Sequence, residues 1–244
     1  MQPLVIVPTY NEHDNLPRVV DGLMAHNGLR LLVVDDASPD GTGAVADALA
    51  LRHRGRIEVL HRTAARGLGR SYIDGMRRAL AMDVTHVCQM DADLSHNPAD
   101  VPRLIAAAAT ADLVIGSRYV RGGHIENWPL RRHVLSRFAN AYVRAIAGLD
   151  TRDNTSGFRC WRRDALARMP LEAIVSDGYA FLVELTWEAQ RAGCRIAEVP
   201  ITFVERRSGA SKLSTGVLVE SVKLPWRLAV RGRSKVKGQR SKAG

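Results

Sequence analysis

Short apolar runs that recur between amphipathic stretches constrain this 244-residue chain more than any other feature. Residues 4–7, 31–34 and 113–116 are continuous apolar runs, 57–60 reads as a further strand with Glu58 within it, and Val87, Cys88 and Met90 mark the end of another. Runs of this length without polar alternation belong to parallel strands covered on both faces. Between them, Leu16, Val19, Val20, Leu23 and Met24 keep the spacing of one helix face, as do Val45, Ala46, Leu49 and Ala50, and then Tyr72, Ile73, Met76 and Leu80. Asn15 and Thr42 are placed to cap the first two helices. Strand and helix in regular alternation predict an α/β fold, a mostly parallel sheet with helices on both faces.

In such sheets ligands collect beyond the carboxyl ends of the strands, where the loops converge. Three polar stretches fall there: Pro8 to Glu12, Asp35-Asp36, and Asp91-Ala92-Asp93. Two carboxylates one residue apart repel each other, and a divalent cation removes that conflict. Hard oxygen ligands suit magnesium or manganese, which keep waters and take phosphate oxygens from a substrate. Asp-x-Asp pairs also cap ordinary turns, and Asn97-Pro98 is a turn signal. The company of the other two loops favours a metal and diphosphate site. His96 beside it is expected to be a turn residue that hydrogen-bonds locally.

Further along, residues 130–147 form the longest amphipathic helix, with Leu130, Val134, Leu135, Phe138, Tyr142 and Ile146 on a stripe and Arg131, Arg132, Arg137 and Arg144 on the other face. Residues 153–158 make a polar turn, and Ser176 to Tyr179 introduces a helix with Phe181, Leu182, Leu185 and Ala189 inward. Residues 196–205 are extended, and 206–212 form a basic loop. The domain expectation is a catalytic unit over 1–213, an amphipathic helix over 214–230 interrupted at Pro225-Trp226, and a basic, disordered tail over 231–244.

The net charge of +10 invites nucleic acid, anionic membrane or phosphorylated ligands, yet with only 5% aromatic residues and no zinc-finger or recognition-helix pattern nucleic acid is the weaker reading, and no nucleic-acid partner is expected. Cys88, Cys160 and Cys194 lack metal-ligand spacing and are expected as reduced core residues of a cytoplasmic protein. Neither a signal-peptide pattern nor an apolar run of spanning length is present. Any membrane contact is therefore expected to be peripheral, at the cytoplasmic face, through the C-terminal stretch and tail or through a membrane partner subunit.

VPTYNE (7–12), VVDDASPDGT (33–42), MDADLSHNP (90–98), GSRY (116–119), SGFR (156–159), DGYAF (177–181) and ERRSGASKL (205–213), in this order, resemble the successive signatures of dolichol- or polyprenol-phosphate mannose synthases. The likeness spans about residues 3–230. These are inverting glycosyltransferases of the GT-A fold. The resemblance implies transfer of mannose from GDP-mannose to a polyprenyl or dolichyl phosphate, giving the lipid-linked sugar and GDP. It implies Pro8, Tyr10, Glu12, Val34 and Asp36 on the guanosine side, and Asp91, Ala92 and Asp93 at the diphosphate. Mg2+ or Mn2+ would sit on Asp91, Asp93 and Ser95, the last standing where archaeal-type members carry glutamine. Arg118, Arg206 and Lys212 would bind phosphates, with Arg118 joining the two aspartates as the catalytic residues. Apart from the resemblance, Arg132, like Arg131, stands near the Gly122-Gly123 break where it can reach ligand, and the basic loop 206–212 suits a lid that orders over a diphosphate.

The residues support that chemistry independently. A phosphate monoester is anionic at neutral pH and needs no general base, so the protein's task is to hold two anions together and stabilise a leaving diphosphate. A transferase using another sugar nucleotide, UDP-glucose for instance, fits the same pattern. No Gly-x-Gly-x-x-Gly follows the first strand, which speaks against a dinucleotide-dependent dehydrogenase. A membrane-surface or nucleic-acid adaptor acting through the basic tail is the non-enzymatic alternative.

Overall fold

The computed structural model describes residues 2–63, 66–205 and 222–232. Strands β1 (Pro3–Thr9), β2 (Arg30–Asp35), β3 (Ile57–His61), β4 (His86–Gln89), β5 (Leu113–Ser117), β7 (Arg159–Arg162) and β8 (Ile196–Pro200) make one sheet in the order β3-β2-β1-β4-β7-β5-β8. All neighbours are parallel except β7, which runs antiparallel to both β4 and β5. A two-stranded parallel ribbon, β6 (His124–Glu126) with β9 (Thr202–Val204), stands beside it.

Side-chain alternation along the strands divides the core in two. Val5, Val7, Leu31 and Val33 face helices α1 (Leu16–Met24), α2 (Thr42–Arg52) and α4 (Val101–Ala107). Leu4, Ile6, Leu32 and Val34 face α3 (Leu68–Leu80), α6 (Arg163–Ala167) and α7 (Gly178–Arg191). Helix α3 lies so close to β1 that a Cβ on Gly75 would come within 2.7 Å of Ile6. The three-layer α/β/α arrangement is the expected one.

Local details differ. Asn15 is the residue preceding α1, but its amide donates to Glu12 Oε2 at 2.8 Å instead of capping the helix. Gly41 precedes α2; Thr42 is its first residue, and its hydroxyl donates to Asp40 and accepts from the Glu12 amide. Residues 196–205 are two strands separated at Ile201. The C-terminal helix occupies 222–232 and continues through Pro225-Trp226.

Helix α5 (Leu130–Ala147) keeps its expected bounds, but its apolar stripe does not face the core. Leu130, Val134, Leu135 and Phe138 are 60–79% exposed, while Asn140, Val143 and Ala147 are buried. Val143 and Ala147 pack with Ala180, Val183 and Trp187 of α7 and with Leu224 and Leu228. Glu184 and Glu188 hold the 222–232 helix through Arg231, at 3.5 and 3.0 Å. The three cysteines are buried and free, as expected. Among the described residues no helix is long and apolar enough to cross a membrane.

Candidate active site

The loops after β1, β2 and β4 meet at the carboxyl ends of adjacent strands, since β4, β1 and β2 are neighbours. Each carries a non-glycine residue in the left-handed region: Asn11 (φ 59°), Ala37 (φ 54°) and Leu94 (φ 61°). Such residues cost about 1–3 kcal/mol apiece and collect at functional sites. They also turn each loop sharply over the strand end.

Asp91 and Asp93 lie just past β4. Asp91 Oδ1 accepts the Tyr72 hydroxyl at 2.8 Å, and its Oδ2 lies 3.7 Å from His96 Nε2, beyond hydrogen-bond reach. Asp93 Oδ1 accepts from both the amide and hydroxyl of Ser95, at 3.1 and 2.6 Å. Burial pushes Asp91 up, but His96, Tyr72 and Arg118 outweigh that and hold its carboxyl below the usual range. The Tyr72 phenol, buried beside Asp91, is pushed well up. Asp91 is thus a carboxylate and Tyr72 a donor at neutral pH.

Gly157 forms the floor. A Cβ there would come within 2.9 Å of Asp91 Oδ2. The Asp93 Oδ2 and Asp91 Oδ2 atoms accept no hydrogen bond from the described residues. Among those residues no three or more His, Cys, Asp or Glu side chains converge as a cage. Two carboxylates with free oxygens, completed by water and substrate oxygens, are what Mg2+ or Mn2+ takes. The Ser95 hydroxyl donates to Asp93 and keeps its oxygen lone pairs, and Ala92 is buried.

His96 is not the locally bonded turn residue expected. It is 3% exposed, both ring nitrogens lack a hydrogen-bond partner, and the ring packs against Phe158 and Phe203 at 5.0 and 5.3 Å.

Arg118 is buried and gripped by Asp153, which accepts from its backbone amide, Nε and Nη2 at 2.6–2.9 Å. Burial raises the Asp153 carboxyl, but the Arg118 charge and hydrogen bonds overcome this and hold it low. Nη2 also donates to Thr155, leaving Nη1 unbonded among the described residues. Arg132 pairs with Glu205 and lies 4.1 Å over the Trp128 ring. Arg206 and Lys212, with the 206–212 lid, lie outside the described residues.

On the other flank, Pro8 and Val34 face each other in register with both side chains buried. Asp36 spends Oδ1 on Arg62 and Oδ2 on the Gly67 amide, so it ties β2 to the start of α3. The Tyr10 hydroxyl accepts from Arg66 at 2.7 Å. Glu12 bonds Asn15 and, through its amide, Thr42.

Sequence reasoning missed Tyr72, Asp153, Gly157 and Arg159. Arg159 is fully buried and bonded to the Ser156 and Asn154 carbonyls, and burial draws it down to about 10. The signal for Gly157 and Arg159 was present in SGFR; Tyr72 was hidden as one more apolar position on α3.

A family model described as Glycosyl transferase family 2 matches residues 4–169. The chain is 48% identical over 233 residues to a polyprenol monophosphomannose synthase of Mycolicibacterium smegmatis, covering 94% of this chain and 88% of that protein. It is 48% identical over 234 residues to an undecaprenyl-phosphate mannosyltransferase of Micrococcus luteus, covering 95% and 96%. Among solved structures, a glucosyl-3-phosphoglycerate synthase of Mycobacterium tuberculosis with Mn2+, UDP and phosphoglyceric acid superposes with TM-score 0.66 at 21% identity, over 93% of this chain and 75% of that one. A mannosyltransferase of Pyrobaculum calidifontis with GDP-Man and Mn2+ gives 0.57 at 18%, over 97% and 75%.

Proposed function

The chain belongs to glycosyl transferase family 2, and from that premise we propose that it transfers mannose from GDP-mannose to a polyprenyl phosphate with inversion, releasing GDP. One observation carries the reading: 48% identity extends over nearly the whole of two mannosyltransferases whose names specify a polyprenol or undecaprenyl phosphate product or acceptor.

In the reaction an acceptor phosphate oxygen forms a bond to the anomeric carbon as the bond from that carbon to the diphosphate oxygen breaks. GDP leaves with the electron pair, and no proton is transferred. This agrees with a site whose one nearby histidine is sealed in an aromatic cage.

Asp91 and Asp93 would hold the cation, with the Tyr72 hydroxyl bonded to the Asp91 carboxylate orienting it. Bound there, Mg2+ or Mn2+ supplies positive charge to the departing diphosphate. Ser95 orients Asp93 by donating its hydroxyl proton to it, and its oxygen lone pairs would complete the ligand set. Arg118, held by Asp153, offers Nη1 to a phosphate oxygen; Arg132, Arg206 and Lys212 complete the cationic rim. The loops with Pro8, Tyr10, Glu12, Val34 and Asp36 receive the guanosine half, Pro8 and Val34 through backbone. The acceptor is met at the cytoplasmic face of a membrane.

The test is transfer from radiolabelled GDP-mannose to detergent-solubilised undecaprenyl phosphate by the purified full chain with Mn2+, read as label in an organic extract that mild acid releases. UDP-glucose runs in parallel. Label from GDP-mannose is expected. No label, or preferential labelling from UDP-glucose, overturns the assignment.

A further inference from the structure

Away from the acidic loops, Tyr119, Arg137, Asn140, Ala141, Arg144 and Arg152 line a surface pocket of about 270 Å³ against α5. Three arginines converge on it, and among the described residues none of the three has a carboxylate within ion-pair distance. Arg137 packs over the Tyr119 ring at 5.8 Å. From Trp128 to Leu149 the chain contains no Asp or Glu. Guanidinium groups gathered without a counter-charge repel one another, and an anion relieves the repulsion.

The surroundings say what kind of anion. Of ten large apolar side chains exposed among the described residues, four lie on α5, three on the 222–232 helix and two at positions 175 and 179; only Leu51 lies elsewhere. The two helices are joined through Tyr142, whose hydroxyl donates to the Val222 carbonyl and accepts from Trp226 Nε1, both at 2.9 Å. The 222–232 helix adds Lys223 and Arg227 and contains no acid, its Arg231 being taken up by Glu184 and Glu188. Apolar stripe and basic face on one pair of helices match a surface that is hydrocarbon beneath and phosphate above.

We propose that the Arg137, Arg144 and Arg152 pocket takes the phosphate headgroup of an anionic phospholipid while the exposed stripe of α5 enters the acyl boundary, seating the protein on a bilayer. This rests on the reading that the acceptor is a lipid phosphate, and it names the lipid beside the acceptor rather than the acceptor itself. Asn140 links the seat to the site: it donates to Thr155, which in turn accepts from Arg118, at 3.2 and 2.7 Å.

Flotation of the full chain with vesicles of phosphatidylcholine alone, or with added phosphatidylglycerol, tests the seat. Binding to the phosphatidylglycerol vesicles is expected, with little to phosphatidylcholine. The double variant R144A/R152A should bind about 30-fold more weakly at low salt, each arginine contributing about 1 kcal/mol near the surface. F138D should lose binding as well, and circular dichroism confirms that both variants fold. Both should keep wild-type transfer to detergent-solubilised acceptor.

Equal binding to both vesicle types, or undiminished binding by folded R144A/R152A, overturns the headgroup site. So does a titration in which inorganic phosphate binds the arginines while vesicles do not. Loss of transfer by R144A/R152A in detergent would instead place the arginines in the catalytic site and also overturn it. Absence of transfer by the wild type bears on the enzymatic reading alone, since flotation needs no substrate.

Discussion

Replacing Gly157 by alanine should disable the site while sparing the fold. The added Cβ would lie 2.9 Å from Asp91 Oδ2 and 3.1 Å from Oδ1, whereas ordinary contact begins at 3.4 Å. Gly157 is not among the glycines with positive φ, so the backbone accepts alanine and the whole effect falls on the carboxylate. Relief requires Asp91 to shift by about 0.5 Å, the difference between 3.4 and 2.9 Å. A movement of that size takes the 2.8 Å bond from Tyr72 to the edge of hydrogen-bond range. Small-to-large strain of this kind costs about 1–2 kcal/mol, a few degrees in melting temperature. Misplacing a catalytic group by about half an ångström to one ångström lowers turnover about 10- to 100-fold. Radiolabel transfer at saturating donor, acceptor and Mn2+, paired with a thermal melt, reads both quantities. Turnover within twofold of wild type would refute the contact argument. A collapse in melting temperature beyond about 10 °C would equally refute it, because the damage would then be global.

Three further outcomes follow from the same geometry. Tyr72→Phe removes a hydrogen bond to a charged group, worth about 1.5–3 kcal/mol, and should cut turnover about 10- to 100-fold with a small change in melting temperature. Asp153→Asn leaves Arg118 buried without its carboxylate and should cost about 3–5 kcal/mol in a denaturant titration. Because Asp153 is held below 3.8 in the folded state, the stability from this pair is fully present above pH 3.8 and is lost as pH falls through the lower folded value. The melting-temperature gap between wild type and Asp153→Asn should therefore narrow below that pH; a constant gap argues against the pair. Chelation with EDTA should abolish transfer, with Mn2+ or Mg2+ restoring it to the wild type but not to Asp93→Ala.

The parallel part of the sheet and its first helices were legible because β1, β2 and β5 are largely continuous apolar runs and α1 and α3 show their buried faces by spacing, whereas β7, with arginines at both ends, gave no such signal. The meeting of the three polar loops at one end of the sheet followed, since β2, β1 and β4 are neighbours and each loop leaves a carboxyl end. What was not legible is contact between distant segments. Asp153 sat in a stretch that sequence describes only as a polar turn, and its capture of Arg118 depends on β5 and the 151–156 loop being brought together. Periodicity correctly grouped Leu130, Val134, Leu135 and Phe138 on one side of α5 but says nothing about what covers that side. His96 illustrates the reverse: its neighbours in sequence suggested a turn, whereas Phe158 and Phe203, far along the chain, decide its surroundings.

The reversed strand β7 has a consequence for biogenesis. Translation delivers β4 and β5 well before β7, and until then two strand edges face one another across a gap one strand wide. Since β7 runs against them, its entry into that gap brings Gly157 and Arg159 beneath Asp91 in the same movement. Filling that gap and laying the floor under Asp91 therefore go together, so a chain that has not yet reached β7 offers open edges to aggregation and lacks that floor.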